Sequence, residues 1–242
     1  MTPPAPITEA APSQVDELSR ASGLPLHAFK QGHVTKQVER ALAKESASDS
    51  GELAQQLGRN PGARSRFRSA IAISVSGNLR DPRQFELLER DVIPTIVEPD
   101  GAVRVWSAGC ADGSELYDVG GLLQRRGVID RVYLLGSDIL EENIRRASGQ
   151  DGPTATPAVR ARVRWERRDL TSEPAPPGAW RLILCRNLAI YLRPEVRDGL
   201  HRKLAGALAR GGFLMLGRSE RIADPAAVGL EAAGPNVYRK PL

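Results

Sequence analysis

Two short polar segments that follow apolar runs are candidates for a nucleotide-binding site. Gly109 and Gly113, in residues 107–113, permit a tight turn and a close backbone approach to a ligand before a following helix. Asp138 follows the next apolar run, about 25 residues beyond Gly113, where an acidic residue accepts both ribose hydroxyls of an adenosine. The structural alternatives are an ordinary turn and a carboxylate that caps the next helix. Together the two segments predict a nucleotide-type ligand.

Two further polar segments follow later apolar runs. Asp169 and Leu170 come after the third run, where a polar residue can recognise an adenine edge, and Arg186 and Asn187 come after the fourth. Ligands of open parallel sheets bind outside the carboxyl ends of the strands, so all four segments are candidates for one site. Both later segments are equally compatible with ordinary loop structure.

The elements that position these segments are short strands separated by helices. Strands are predicted at residues 103–106, 132–135, 163–165, 182–185, 213–216 and 237–238. The clearest helical pattern covers residues 194–210, with Pro194 in its first turn and two glycines at its end. Strands that alternate with helices predict an α/β fold with a mostly parallel sheet.

The preceding part of the chain has only helical patterns. Helices are predicted from Ser13, at residues 33–44, within residues 48–62, at residues 64–73 and from Pro82 onwards. The predicted organisation is a flexible tail at 1–12, a helical domain at 13–92, a linker at 93–101 and a ligand-binding domain at 102–242.

Composition narrows the class of protein. The chain has 242 residues, a mean hydropathy of -0.32 and no apolar run near the roughly 18 residues that a membrane span needs. Its first residues have neither the basic nor the apolar region of a secretory signal, so we expect a cytoplasmic protein. Two cysteines form no disulfide framework or zinc cluster, and no metal is expected. A net charge of +5 with 5% aromatic residues makes nucleic-acid binding a minority hypothesis.

The sequence around Asn187 resembles one family. Residues 185–191 read C-R-N-L-A-I-Y and resemble the motif C-R-N-V-L-I-Y-F of the chemotaxis receptor glutamate methyltransferases, the CheR family. Other matching blocks are residues 75–82 before Phe85, residues 106–110 with Gly113, Glu115 and Tyr117, residues 137–139 with Ala147 and Gly149, and Gly211, Gly212, Gly217, Ser219 and Glu220. The resemblance covers about residues 18–240.

The resemblance implies a fold, a cofactor and a reaction. The fold is a Rossmann-like class I methyltransferase sheet of the seven-stranded type, preceded by a small all-helical domain. The cofactor is S-adenosylmethionine, whose methyl group is transferred to a carboxylate oxygen. The implied cofactor-binding residues are Ser76, Arg80, Ala108, Gly109, Glu115, Asp138, Ile139, Asp169, Leu170, Arg186 and Asn187. By resemblance Glu115 lies near the methionine amino group, Asp138 holds the ribose, and Asp169 and Leu170 face the adenine.

The resemblance also implies Arg80 and Tyr191 as the active-site pair. Arg80 orients the acceptor carboxylate through paired N–H bonds, with a surface ion pair to Asp81 or Glu86 as the structural alternative. Tyr191 fixes one oxygen or contacts the sulfur region of the cofactor, with a half-buried aromatic at the rim as the alternative.

Three departures from the family concern the acceptor more than the cofactor. Two aromatic residues of the family motif are replaced by Asn78 and Leu79 in this chain. One of the two glutamates of another family motif is replaced by Ser114, and one hypothesis is that Asp112 supplies the missing negative charge. The helix at 32–44 lacks the paired arginines of the family. Residues 150–168 are too few for the small antiparallel subdomain that docks receptor tails in the family, since three short strands with turns need at least about 20 residues.

The sequence therefore leaves four functions to compare. The first is a methyltransferase that forms a methyl ester on a protein glutamate of a receptor-like helical protein. The second is a relative that acts on a different acceptor, such as a small molecule or natural product. The third is a non-catalytic cofactor-binding module, and the fourth a nicotinamide oxidoreductase, which the lack of a complete G-x-G-x-x-G motif disfavours.

Overall fold

A computed structural model describes residues 12–72, 82–98, 101–149 and 153–242. These described residues divide into two compact units. The first unit contains residues 12–72 together with residues 191–196, and the second contains all other described residues.

The first unit is helical, as predicted. Its helices within residues 12–72 are α1 (Pro12–Ser22), α2 (Gln31–Glu45), α3 (Ser50–Arg59) and α4 (Pro61–Ala72). Gly23 directly follows the end of α1 and has a φ of 70°. Glycine suits this position because it adopts the left-handed backbone region without strain. At the start of α3, Asp49 accepts a hydrogen bond from the Glu52 N–H at 2.9 Å.

The second unit is built on one sheet, which in the described residues has seven strands. They are β1 (Val103–Ala108), β2 (Val132–Asp138), β3 (Val163–Arg167), β4 (Trp180–Cys185), β5 (Leu208–Leu216), β6 (Glu231–Gly234) and β7 (Val237–Arg239). The strand order is β3-β2-β1-β4-β5-β7-β6. Strands β1 to β5 are parallel, and β7 pairs antiparallel with β5 and β6. The predicted mostly parallel, seven-stranded Rossmann-like fold is confirmed.

Six helices of the described chain accompany the sheet. They are α5 (Pro82–Leu87), α6 (Ile93–Val97), α7 (Ser114–Arg125), α8 (Glu141–Ser148), α9 (Pro157–Arg160) and α10 (Pro194–Ala207), whose first three residues belong to the first unit. A π-helical turn over Leu88–Val92 joins α5 to α6. None of the helices in the described residues is long and apolar enough to cross a membrane.

Residues 82–97 differ in placement from the sequence prediction, which assigns them to the helical domain and the linker. Leu88, Val92, Ile93 and Ile96 are buried in the same hydrophobic core as the strands. An apolar pattern at helical spacing shows that a helix buries one face, but it does not show which core the face joins.

One helix boundary and one strand also differ from the prediction. The helix predicted at 194–210 ends at Ala207, because β5 begins at Leu208 and pairs with Trp180 of β4. Strand β6 was not predicted, because all four of its residues are exposed and have no apolar alternation.

Candidate functional site

The site lies where the strand order reverses. β1 pairs with β2 on one side and β4 on the other, so β2 and β3 extend the sheet to one side of β1 and β4 and β5 extend it to the other. In open parallel sheets this switch point forms a crevice at the carboxyl ends of the strands. The loops that follow β1 and β4 contain Ala111 (φ 48°) and Asn187 (φ 60°), both in the left-handed region, which is costly for alanine and which asparagine adopts more readily. Such strain concentrates at functional sites.

The loop after β1 is fixed to the end of β2. The N–H groups of Gly109 and Cys110 donate to the Ser137 carbonyl at 2.8 and 2.9 Å, and the Ser137 hydroxyl accepts from Trp106 Nε1 at 2.8 Å. Gly109 and Gly113 have φ angles of 82° and 80°, as the predicted glycine turn requires. The turn is therefore formed by the residues that the sequence singled out.

Asp138 ends β2 with a buried carboxylate. Oδ1 accepts hydrogen bonds from the Leu140 N–H at 2.9 Å and from Asn143 Nδ2 at 3.1 Å, and Oδ2 accepts from the Ala111 N–H at 3.0 Å. Burial raises the pKa of this carboxyl, while the Leu140 and Ala111 N–H groups oppose the shift. Asp138 thus both stabilises the start of α8 and holds the loop after β1. A carboxylate accepts about four hydrogen bonds, so these three leave capacity for a ligand.

Arg186 and Glu115 form a buried ion pair at the carboxyl ends of the strands. Arg186 Nη1 lies 2.5 Å from Glu115 Oε2, and the two side chains are 8% and 19% exposed. Burial raises the pKa of Glu115, and the Arg186 charge opposes that shift. Gln84 accepts from Arg186 Nε at 3.1 Å and donates to the Leu216 carbonyl at 3.0 Å. The pair therefore connects the loop after β4 to α7, and Gln84 connects it to α5 and β5.

The backbone after Arg186 is held by another carboxylate. Glu220 accepts hydrogen bonds from the N–H groups of Asn187 and Ala189 at 2.7 and 2.6 Å. A side chain at Gly217 would lie 2.4 Å from Asn187 Oδ1 and 2.6 Å from Glu220 Oε2, so this position requires glycine. The sequence comparison includes Gly217 and Glu220 in a matching block but predicts no role for either.

Asp169 and Leu170 follow β3 at the same end of the sheet. Asp169 Oδ1 accepts from the Thr171 N–H at 2.8 Å and the Thr171 hydroxyl at 2.6 Å, and Oδ2 accepts from the Ser172 hydroxyl at 2.8 Å. Leu170 is buried, and its carbonyl accepts from Lys203 Nζ at 2.7 Å. The Asp169 carboxylate therefore shapes its own turn, and its predicted contact with adenine stays a prediction.

The remaining predicted residues fall into three groups. Ala108 is buried at the end of β1, and Ile139 is half-buried directly after Asp138. Asp112 accepts from the Ser114 N–H at 3.1 Å in the turn that precedes α7. Ser76 and Arg80 lie outside the described residues.

Tyr191, the predicted catalytic tyrosine, belongs to the first unit. Its carbonyl accepts from the Lys30 N–H at 2.8 Å, and its ring centroid lies 5.1 Å from that of His33. His33 Nε2 lies 2.9 Å from the Ile71 carbonyl oxygen near the end of α4. The half-buried tyrosine is thus oriented by contacts with the helical unit.

The described residues contain no group of three or more histidine, cysteine or acidic side chains that could hold a metal ion. Cys110 and Cys185 are buried, and burial raises the pKa of both thiols well above the usual value. Both thiols are therefore protonated at neutral pH and are poor nucleophiles.

Two site residues were not predicted from the sequence. Glu220 had a signal, because it lies in a block that matches the family. Gln84 had no signal in the sequence, because a glutamine on an amphipathic helix is usually solvated. In the structure this glutamine is buried.

Comparison with known proteins gives a family and close relatives. The family model described as "CheR methyltransferase, SAM binding domain" matches residues 74–151 and 148–231. A chemotaxis protein methyltransferase of Listeria monocytogenes is 30% identical over 248 residues, covering 92% of this chain and 94% of that protein. The corresponding protein of Listeria innocua is 31% identical with the same coverage. Chemotaxis protein methyltransferase 1 of Pseudomonas aeruginosa is 26% identical and covers 85% of this chain and 87% of its own length.

Solved structures give more distant similarity. A TehB-like SAM-dependent methyltransferase of Corynebacterium glutamicum has a TM-score of 0.44 and 16% identity, covering 75% of this chain and 95% of that one. An S-adenosylmethionine-dependent methyltransferase of Mesorhizobium loti has a TM-score of 0.35 and 23% identity, covering 53% of this chain and 50% of that one.

Proposed function

Since the chain belongs to the CheR methyltransferase family, we propose that it transfers a methyl group to a carboxylate oxygen of a protein glutamate, forming a methyl ester. Membership makes the chain an S-adenosylmethionine-dependent methyltransferase. The observation that carries the proposal is the set of polar groups at the switch point, where the buried Asp138 carboxylate ends β2 and Arg186, directly after β4, pairs with Glu115 in the first turn of α7.

The residues at the switch point fit S-adenosylmethionine. Asp138 Oδ2 has one hydrogen bond from the protein, so it retains capacity for a ribose hydroxyl. Glu115 supplies negative charge for an ammonium group. The turn through Gly109 and Gly113 allows a ligand to approach the backbone closely. When bound, the cofactor supplies an electrophilic methyl group on a sulfonium.

The acceptor needs orientation more than activation. A glutamate carboxylate has a usual pKa of about 4.3 and is ionised at pH 7, so no general base is required. In this proposal Arg80 holds the carboxylate by paired N–H bonds and Tyr191 contacts one of its oxygens. Placing the carboxylate in line with the methyl carbon and excluding water accounts for the rate enhancement.

A second candidate acceptor is favoured by the segment that precedes β3. Between residues 153 and 162, the described chain contains only the four-residue helix α9. The two matches to the family model meet at residues 148–151, next to this segment. Both observations support loss of a receptor-docking subdomain. They favour either a receptor bound without that subdomain or a different carboxylate, such as one on a small molecule.

The chemistry is tested by the stability of the product. The protein is incubated with S-adenosylmethionine labelled in the methyl group, in parallel with a helical receptor fragment and with a panel of small carboxylic acids. We expect the label to be released as volatile methanol after treatment with base, because methyl esters hydrolyse under these conditions. Label that survives base would identify N- or C-methylation and refute ester formation. The acceptor that is labelled distinguishes the two candidates.

The role of Tyr191 is tested by Tyr191→Phe, which keeps the ring that contacts His33. We expect a fall in kcat of about tenfold with the Kd for S-adenosylhomocysteine within about twofold, since one hydrogen bond to the acceptor is lost. Tyr133→Phe, near the amino end of β2, is the matched control and should leave kcat unchanged. Unchanged turnover in Tyr191→Phe would leave Tyr191 as an aromatic packing residue.

A further inference from the structure

Glu220 is a buried carboxylate that has no part in the proposed reaction. Its side chain follows β5 and the residue is 3% exposed. Oε2 accepts from the N–H groups of Asn187 and Gly217, both at 2.7 Å, and Oε1 accepts from those of Ala189 at 2.6 Å and Ile190 at 3.3 Å. Four backbone donors therefore surround one side chain.

These donors form an anion-binding arrangement of the backbone. Successive N–H groups point to one side when neighbouring residues combine right-handed and left-handed conformations, and Asn187 has a left-handed φ of 60°. Without an acceptor, the N–H groups of Asn187, Ala189 and Ile190 would lose their partner, and burying an unpaired donor is costly. The Glu220 carboxylate thus stabilises this conformation of the loop in the folded protein.

The backbone of Glu220 is itself hydrogen-bonded on both sides. Its N–H donates to the Gly217 carbonyl at 2.8 Å, and its carbonyl accepts a hydrogen bond from Asn236 Nδ2. Asn236 precedes β7, and its own carbonyl accepts from the Leu216 N–H at 2.9 Å. The backbone of Glu220 is therefore anchored to the residues that directly follow β5 and directly precede β7, and not to the loop that its carboxylate binds.

We propose that Glu220 is a positioning residue that preforms the loop at residues 186–190 for cofactor binding. This inference rests on the proposed function, because it assigns the loop to the cofactor site. Its physical basis is preorganisation: a loop that is ordered before binding does not lose conformational entropy when the ligand arrives. Arg186 and Asn187, the predicted cofactor-binding residues of this loop, are then positioned in the free protein.

Glu220→Gln tests the proposal with little change in shape. Each carboxylate oxygen faces two N–H donors, so the amide of glutamine places its NH₂ group against two donors whichever way it is turned. We expect the Kd for S-adenosylhomocysteine, measured by calorimetry, to rise about tenfold or more, as loss of hydrogen bonds to a charged group predicts. Glu231→Gln, on the exposed strand β6, is the matched control and should change the Kd less than about twofold.

The outcomes separate this inference from the proposed function. Failure of the wild-type protein to bind S-adenosylhomocysteine contradicts the proposed function and removes the basis of the inference. Equal binding by wild type and Glu220→Gln overturns the inference alone, even when the variant has a lower Tm, since Glu220 then only stabilises the fold.

Hydrogen exchange of the unliganded wild-type protein gives a test that does not need a folded variant. We expect the amides of Asn187 and Ala189 to be protected to a degree comparable with those of β5, because both donate to a buried carboxylate. Exchange as fast as in an exposed loop would show that the loop is not preformed, which overturns the proposal.

Discussion

Asp138→Ala is expected to weaken the binding of S-adenosylhomocysteine about a hundredfold or more. The substitution removes the proposed acceptor of the ribose hydroxyls, and hydrogen bonds to a charged group contribute about 1.5–3 kcal/mol each. It also removes the acceptor of the Ala111 N–H, which holds the strained loop after β1. Calorimetric titration of wild type and variant measures the effect.

A control separates ligand binding from helix capping. Glu141→Ala, at an exposed position in the first turn of α8, should leave the Kd within about twofold. If Asp138 served only to cap α8, its removal would lower stability by about 0.5–2 kcal/mol and leave the Kd unchanged. A lower Tm with unchanged binding would therefore contradict the ribose assignment.

The same carboxyl predicts a pH dependence of stability. Burial raises the pKa of Asp138 above its ordinary value of 3.8, so the folded protein binds this proton more tightly than the unfolded chain does. The contribution of Asp138 to stability is fully present below the ordinary pKa and is lost as the pH rises through the raised pKa. Asp138→Asn removes this contribution. Urea unfolding of wild type and variant at several acidic pH values measures how the free energy of unfolding of each depends on pH.

Arg186→Ala is expected to lower the free energy of unfolding by about 3–5 kcal/mol and to abolish cofactor binding. The substitution leaves the Glu115 carboxylate buried without the guanidinium that lies 2.5 Å away, and breaking a buried ion pair costs about this much. It also removes the donor to Gln84, which bridges to the Leu216 carbonyl. Urea unfolding and calorimetric titration measure the two effects.

An exposed ion pair and a double variant test whether the broken buried pair causes the loss of stability. Arg90 and Asp91 form an ion pair that is 76% and 48% exposed, so Arg90→Ala should change stability by less than about 1 kcal/mol. Arg186→Met combined with Glu115→Leu should recover much of the stability, because replacing a buried pair by apolar side chains is often neutral. The double variant should still fail to bind the cofactor. Binding by the double variant would show that the pair has a structural role only.

Much of the candidate site could be predicted because its signals are local in sequence. Asp138 is the last residue of β2, and Gly109 and Gly113 lie in the turn between β1 and α7, so the strand–turn–helix pattern places all three at the carboxyl end of a parallel sheet. The parallel sheet itself followed from the alternation of apolar runs and helices, which reflects burial of both faces of each strand.

The structure corrected predictions where local patterns were ambiguous. Residues 82–97 have the apolar spacing of helices, but their partners are the core of the sheet. Strand β6 has no apolar residue pattern, and it forms because β7 provides hydrogen-bonding partners. In both cases the local sequence does not identify the element that each segment packs against or pairs with.

The sequence by itself determined the family, the fold class and the strand-end residues of this protein. Only the tertiary structure decided that Gln84, 102 residues from Arg186 and 132 from Leu216, bridges these two residues. Only the tertiary structure decided that Glu220, 33 residues from Asn187, holds the loop after β4. The physical reason is that a motif reports residues joined by the chain, whereas the partner of a buried polar group is set by which strands and helices pack together.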